Sequence, residues 1–389
     1  MSSIPFNRAS FLGNERRYIE QALENLHISS DGSFSRRVSS VLAEELSVPK
    51  VLLTTSCTDA LEMCGLLLEL APGDEVIMPS FTFVSTANAF ALRGARPVFV
   101  DIRADTYNID ETKIEAAITD KTKAIVVVHY AGIGCEMDAI MEICARRGIP
   151  VVEDNAHGLF GRYKDKPLGS FGALSTMSFH ETKNLSCGEG GALAIKDPRF
   201  VDRAEILHAK GTNRARFFRG MVDKYTWVDV GSSFGLSDLL AAVLYGQLEQ
   251  RRHIMRARKR LFDWYYDTLV GVAGRAGYRL QTVPSHCASA YHMFSLVLPS
   301  LAERDALIAF MKARNILAVF HYVPLHLSDM GTHFGFEPGQ FPITEDVASR
   351  LVRLPFFTTM TDREADAVVR AVREFAERGE PAQSSRSKM

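Results

Sequence analysis

Three short segments of this chain bring together residue types that do chemistry. Each stands just after a run of apolar residues. The first is Thr54-Thr55-Ser56-Cys57-Thr58-Asp59-Ala60, which follows Val51-Leu52-Leu53 and leads into a helix-like stretch. Hydroxyls beside the free N–H groups of a helix start make an anion site suited to phosphate. The plainer reading of the same run is a helix cap. No Gly-x-x-x-x-Gly-Lys-Ser/Thr occurs, so the run is not a P-loop, and no Gly-x-Gly-x-x-Gly follows a strand, which disfavours a dinucleotide fold. The second segment is Asp154-Asn155-Ala156-His157-Gly158. A carboxylate at the end of a buried strand is costly unless paired, and it asks for a cationic partner. The plainer reading is a capping aspartate and a surface histidine. The third is Ser178-Phe179-His180-Glu181-Thr182-Lys183-Asn184, followed by Gly188-Glu189-Gly190-Gly191. A desolvated lysine gives up its proton more easily and can form a Schiff base, and glycines let the backbone approach a ligand. The plainer reading is a solvated lysine in a turn.

Taken together, the three segments fit one chemistry better than three unrelated plain readings. Pyridoxal phosphate needs a phosphate cup, a carboxylate beside its ring nitrogen and a lysine for its aldehyde.

These segments need a scaffold that brings strand ends together. Apolar runs at Val51–Leu53, Glu75–Met78, Pro97–Asp101, Ala124–His129 and Ile149–Glu153 alternate with helix-like stretches at Asp59–Leu70, Val84–Arg93, Asp110–Ile118 and Glu136–Arg147. Near-continuous apolar strands alternating with helices predict a parallel sheet covered on both faces. Ligands of such sheets sit at the carboxyl ends of the strands. From about Gly172 the rhythm changes. Strands are expected at Ala173–Phe179 and Ala192–Ile195, then long helices from Ser237 to about Leu269. A smaller α/β unit follows, with strand Tyr291–Leu298, helix Arg304–Arg314 and strand Ala318–His321.

The 389 residues suffice for two or three domains. The chain is 47% hydrophobic and 23% charged, with a formal net charge of −1. That balance argues against nucleic acid or an anionic membrane as the main partner, since both require a basic excess. Six cysteines without a Cys-x-x-Cys pair predict reduced thiols rather than a disulfide framework or zinc knuckle. Met1 to Arg17 lacks the apolar stretch of a signal peptide, and no uncharged apolar run reaches the ~18 residues of a spanning helix. A cytoplasmic protein is expected.

Longer motifs contain these segments: Thr-Ser-Cys-Thr-Asp-Ala-Leu (55–61), Pro-Ser-Phe-Thr-Phe-Val-Ser-Thr-Ala-Asn-Ala (79–89), Val-Glu-Asp-Asn-Ala-His-Gly (152–158), Ser-Phe-His-Glu-Thr-Lys-Asn (178–184) and Gly-Glu-Gly-Gly-Ala (188–192). On these the chain resembles the sugar-nucleotide aminotransferases of the DegT/DnrJ/EryC1/StrS family, from about Ile4 to Glu374. Through His-Tyr-Ala-Gly (129–132), Lys-Gly-Thr-Asn-Arg (210–214), Val-Asp-Lys-Tyr-Thr-Trp (222–227) and Val-Phe-His-Tyr-x-Pro-Leu-His (319–326) it is especially similar to the dTDP-4-amino-4,6-dideoxygalactose transaminases.

The resemblance implies an α/β protein of PLP-dependent transferase fold type I, like aspartate aminotransferase. It would have a large, mostly parallel-sheet domain (1–245), a smaller C-terminal α/β domain (246–376) and a disordered tail (377–389). It implies pyridoxal 5′-phosphate held through Lys183, with Asp154 on the ring nitrogen and His157 on the ring hydroxyl. Phe83 would stack on the ring, and Thr58, the Asp59 backbone and Ser178 would hold the phosphate. Ser233 stands where many relatives place an asparagine that reaches the phosphate of a second subunit. Lys183 and His180 are the implied catalytic pair, and His321, Tyr322, His326 and Phe34 the implied sugar-nucleotide contacts. A zinc reading of His321 and His326 lacks a third ligand. The implied substrates are L-glutamate and a dTDP-linked 4-keto-6-deoxy sugar, with a GDP-linked 4-keto or dTDP-linked 3-keto sugar as the alternative. A homodimer with shared sites is expected. The sugar dehydratases of this fold carry histidine in place of the lysine, so Lys183 opposes that reading, and retention of Asp154, His157, Ser178 and Lys183 opposes a catalytically silent fold.

Overall fold

A computed structural model describes residues 3–379. Its centre is a seven-stranded sheet in the order Lys50–Thr54, Gly191–Ile195, Leu174–Ser178, Val151–Asp154, Thr122–Val128, Glu75–Pro79, Arg96–Val100. Every neighbouring pair is parallel except the two made by Gly191–Ile195, which runs antiparallel to both its neighbours. The sheet is therefore mostly parallel, as its sequence rhythm predicts.

Adjacent strand residues serve opposite faces. Val126 packs with Ala60, Met63 and Phe90 of the helices Cys57–Leu67 and Val84–Ala91. Its neighbours Ile125 and Val127 pack with Ile140 and Cys144 of the helix Met137–Arg147. At the other end of the sheet, Leu53 and Met177 meet Val38 and Leu42 of the helix Ser33–Leu46 and Leu244 of the helix Asp238–Glu249. A central strand buried on both faces has no polar side, which is why these segments read as unbroken apolar runs.

A second core forms around a three-stranded antiparallel sheet, Arg279–Leu280, Ser295–Val297 and Leu351–Arg353. Leu261, Tyr265, Leu269 and Val272 of the helix Arg251–Ala276 pack there against Val368 and Val372 of the helix Asp362–Gly379. Ile4 joins this core and bridges to Ile316, whereas Ile254 packs in the first core. The change of core thus falls inside the long helix, and the amino-terminal segment crosses to the smaller unit. We propose that the chain is organised as these two units.

Two local expectations change. Ala318–His321 is not a strand: only Val319 bridges to Arg353, because Tyr322 at φ 35° and then Pro324 turn the chain away. Residues 377–379 end the helix Asp362–Gly379 rather than starting a disordered tail, and the remainder of that expected tail, 380–389, lies outside the described residues.

One buried ion-bearing network fixes the strand that carries Asp154. The Glu153 carboxylate accepts from the N–H groups of Gly169, Phe171 and Gly172 at 2.8, 2.7 and 2.7 Å, and from His129 Nε2 at 2.9 Å. His129 Nδ1 accepts from the Cys135 N–H at 3.2 Å, so Nε2 carries the proton and the ring serves as a neutral donor. Glu153→Ala leaves these donors buried and unpaired. It is expected to cost about 3–5 kcal/mol, read as a fall in the midpoint of urea unfolding. A midpoint equal to that of the wild type would remove the network from the account of stability.

Candidate active site

Thr54, Pro79, Val128, Asp154 and Ser178 all end strands at one edge of the large sheet, and Gly191 begins its strand there. Above this edge a cleft of about 850 Å³ opens between the two cores. Thr58, Phe83, Asp154, His157, Ser178 and Lys183 all line it. The three segments that attract attention in the sequence therefore do converge, although 129 positions of chain separate Thr54 from Lys183.

Asp154 is the last residue of its strand and is buried. Thr86 Oγ1 donates to its Oδ2 at 2.7 Å, Thr82 and Thr86 share a hydroxyl contact of 2.8 Å, and the Ala156 N–H donates to Oδ1 at 3.1 Å. Burial pushes the Asp154 carboxyl up, and Thr86, the Ala156 N–H and the Lys183 charge oppose it. A cation supplied by a ligand would complete this pairing.

Beside it, Ser56 caps the helix Cys57–Leu67, its Oγ accepting from the Asp59 N–H at 3.0 Å. The Asp59 side chain accepts from the Thr55 hydroxyl. The expected phosphate role of the Asp59 backbone is thus corrected: its N–H is already used by the cap. The N–H groups of Cys57 and Thr58 donate to no acceptor among the described residues and remain for an anion. Thr58 Oγ1 lies 2.8 Å from Ser85 Oγ, and Ser178 completes this end of the cleft. Gly191 has to be glycine: a Cβ there would sit 2.3–2.4 Å from the backbone of Ser56 and Cys57. The strand runs directly under the helix start.

Lys183 follows a tight turn in which its N–H donates to the His180 carbonyl at 2.9 Å. Burial lowers its ammonium below the ordinary lysine value, against the pull of Asp154. Its neighbour Asn184 donates to the Ala290 carbonyl at 2.7 Å, which turns its Oδ1 toward His292 Nδ1 at 3.0 Å. The His292 ring stacks on His157 at 4.2 Å. Arg258 fixes His292 from behind by donating to the carbonyls of Tyr291 and His292 at 2.9 and 2.6 Å, and burial pushes the Arg258 guanidinium down to about 9.

His157 Nδ1 is buried without a hydrogen-bond partner among the described residues, and Nε2 reaches only the Tyr322 hydroxyl at 3.5 Å. Burial holds His157, His292 and His321 well below the ordinary histidine value, with repulsion by Lys183 adding to it in each. All three rings are neutral at pH 7. The Tyr130 hydroxyl meets His321 Nδ1 at 2.6 Å, and the Tyr322 ring stacks on His321 at 3.5 Å. Phe83 stands at the cleft wall with 56% of its surface exposed, an apolar ring that a flat ligand would cover. His180 stands at the rim, 3.6 Å from Glu189 and with Nδ1 2.9 Å from Thr182 Oγ1.

Two expected sugar contacts are corrected. Phe34 is fully buried, packed between Tyr18 and Tyr245 beneath the helix Ser33–Leu46, and lines no part of the cleft. Its apolar ring follows the core-facing spacing of that helix together with Val38 and Leu42. His326 is likewise buried, bonded to Ser80 Oγ at 2.7 Å and Glu345 at 3.0 Å, and so ties a loop rather than facing the cleft. Ser233 is exposed, bridges to Ala209 and stands off the cleft of its own chain. Sequence reasoning misses Thr86, His292, Asn7 and Arg353, which also meet the site. Thr86 falls inside the 79–89 motif, which gives it no role of its own, and Asn7, His292 and Arg353 come from segments without a motif, so only position in the fold reveals the four.

An orphaned buried nitrogen, two free N–H groups at a helix start, a buried carboxylate and a desolvated lysine around one cleft match the needs of pyridoxal phosphate. This defines the class: a fold type I enzyme built around that cofactor. The model of the DegT/DnrJ/EryC1/StrS aminotransferase family matches residues 12–373, so the chain belongs to that family. The GDP-perosamine synthase of Escherichia coli O157:H7 is 30% identical over 376 residues, 96% of this chain and 99% of that protein. The uncharacterized protein MJ1066 of Methanocaldococcus jannaschii is 34% identical over 325 residues, 82% of this chain and 83% of that protein. Among solved structures, the PLP-form of Spr1654, a putative sugar aminotransferase from Streptococcus pneumoniae, has a TM-score of 0.89 at 27% identity, covering 97% of this chain and 99% of that one.

Proposed function

We propose that this aminotransferase moves an amino group from L-glutamate to a nucleotide-linked 4-keto-6-deoxy sugar, namely dTDP-4-keto-6-deoxy-D-glucose, giving the 4-amino-4,6-dideoxy-D-galactose product. The observation that carries it is the cleft itself: Lys183 and Asp154 beside a wall of neutral histidines, wide enough for a sugar. The likeness of residues 129–132, 210–214, 222–227 and 319–326 to the dTDP-sugar transaminases supports the nucleotide. A GDP-linked 4-keto sugar is the second reading, favoured by the 30% identity to a GDP-perosamine synthase over nearly the whole chain.

Bound pyridoxal phosphate supplies an electron sink that stabilises negative charge at the reacting carbon. The chain supplies the rest. Lys183 Nζ is the group that takes and returns the proton there. Asp154 holds positive charge at the ring nitrogen, and His157 Nδ1 pairs with the ring hydroxyl. The N–H groups of Cys57 and Thr58, with the hydroxyls of Thr58 and Ser178, hold the phosphate at the helix start. Phe83 covers the ring and excludes water. His321 and Tyr322 face the sugar, and His180 at the rim assists.

We further read the protein as a cytoplasmic homodimer. Exposed Trp227, Val228 and Val230 lie beside Ser233 and support a subunit contact there. Exposed Ser233, off the cleft of its own chain, is the residue we assign to a second subunit's cleft. Among the described residues no helix is long and apolar enough to cross a membrane.

The test offers dTDP- and GDP-linked 4-keto-6-deoxy sugars with glutamate, follows 2-oxoglutarate and identifies the sugar by NMR. A galacto-configured dTDP product at a kcat/KM at least about tenfold above that for the GDP sugar is expected. Preference for the GDP sugar would establish the second reading, and turnover of neither would sink both.

A further inference from the structure

His157 carries the orphaned nitrogen of the cleft, yet no short hydrogen bond holds its ring. Nδ1 has no partner among the described residues, and Nε2 meets only the Tyr322 hydroxyl at 3.5 Å. Its tightest ring contact is His292, with centroids 4.2 Å apart and planes 19° from parallel. The Tyr130 and His321 rings stand farther off, at 6.0 and 6.2 Å. His292 is itself fixed from several sides. Its N–H donates to the Ala131 carbonyl at 3.2 Å, and the Ala290 N–H donates to the Gly132 carbonyl at 2.8 Å. Buried Arg258 donates to the Tyr291 and His292 carbonyls at 2.9 and 2.6 Å. Between these bonds Tyr291 takes φ 49°, a left-handed conformation that is costly for a bulky residue. Asn184, next to Lys183, closes the set. Its Nδ2 donates to the Ala290 carbonyl at 2.7 Å, so its Oδ1 accepts from His292 Nδ1 at 3.0 Å. That bond places the proton of the neutral ring on Nδ1 and fixes the ring plane. A buried guanidinium, a strained turn and an amide all serve to hold one ring.

We propose that His292 is a positioning residue: its ring sets the plane of His157 and keeps the orphaned Nδ1 aimed into the cleft, and Asn184 locks that plane to the turn that carries Lys183. This rests on the role given above to His157 at the ring hydroxyl of the cofactor. A stack suits this place. A hydrogen bond to His157 Nδ1 would occupy the atom that the cofactor needs, whereas a flat neighbour constrains the plane and leaves the nitrogen free. Both rings have to be neutral, because two cationic imidazoles in contact would repel. Burial, with the Lys183 charge adding to it, keeps them so.

The test compares, all as holoenzyme, the wild type with His292→Ala, His292→Phe, His157→Ala and the double variant His157→Ala/His292→Ala. Cofactor release is timed by loss of the visible band during dialysis. The His157 ring N–H is followed by NMR with isotope-labelled histidine and assigned by its absence in His157→Ala. His292→Ala should release the cofactor about 3–10-fold faster than the wild type and His157→Ala about 10–30-fold faster. The double variant should stay within about twofold of His157→Ala, because the second loss acts through the first. His292→Phe keeps a flat ring and should stay within about twofold of the wild type. The His157 resonance should broaden in His292→Ala and stay sharp in His292→Phe. Losses that multiply in the double variant would overturn the proposal, as would an unchanged His157 resonance in His292→Ala. If His157→Ala releases the cofactor no faster than the wild type, the ring-hydroxyl reading falls, while the resonance still decides whether His292 fixes the His157 ring.

Discussion

Lys183→Ala should lower turnover by about 10⁴-fold or more. Lys183 is the one lysine lining the cleft among the described residues, and no other group there can replace it. His292 gives its Nδ1 to Asn184 and His321 its Nδ1 to Tyr130. Both rings lie well below the ordinary histidine value through burial, so they bind a proton too weakly to take it up at neutral pH. Lys183 has the opposite balance. Burial lowers its proton affinity, so more of it is free amine near neutral pH than of a surface lysine, whose value is about 10.4. Reaction of the cofactor-free protein with an aldehyde should therefore rise with pH through a midpoint below that value, and the rise should vanish in Lys183→Ala. The alanine protein should also lose the visible absorbance that borohydride abolishes in the wild type. Turnover above about one-hundredth of wild type would assign proton transfer elsewhere.

Asp154→Asn separates activity from stability. Asparagine fits the same space and can still accept from Thr86 or the Ala156 N–H. It removes the negative charge that we propose faces the ring nitrogen, and turnover is expected to fall by about 10³-fold. Burial already disfavours the Asp154 carboxylate in the folded protein. Removing that charge should leave the unfolding midpoint unchanged or raise it slightly. Thermal unfolding of the cofactor-free variant beside its kcat reads both. A large loss of stability would mean that Asp154 is a structural anchor, and wild-type kcat would remove it from the chemistry.

Much of the scaffold is legible in the sequence because the signals are local. Ile125, Val126, Val127 and Val128 are consecutive β-branched residues, and the chain builds the central strand Thr122–Val128 from them. Gly148 takes φ 67° after Arg147, so the helix ends where glycine says it must. Asp154, His157, Ser178 and Lys183 are visible for a similar reason. Each sits within a few residues of a strand end, where chain direction alone puts it at the binding edge.

The misplaced residues share a different cause. Phe34 and His326 stand in segments that resemble substrate-binding stretches, yet burial is a property of neighbours far away in sequence. Tyr245 covers Phe34, and Ser80 with Glu345 encloses His326. The sequence by itself determined the mostly parallel core and the strand ends at which Asp154, Ser178 and Lys183 stand. Only the tertiary structure decided which histidines face the cleft, that the Asp59 N–H is spent on a cap, and that Arg353 comes to the site with no carboxylate partner among the described residues. Contact across the two cores depends on how they pack, and no run of adjacent residues encodes a contact between Arg353, Phe6 and the cleft.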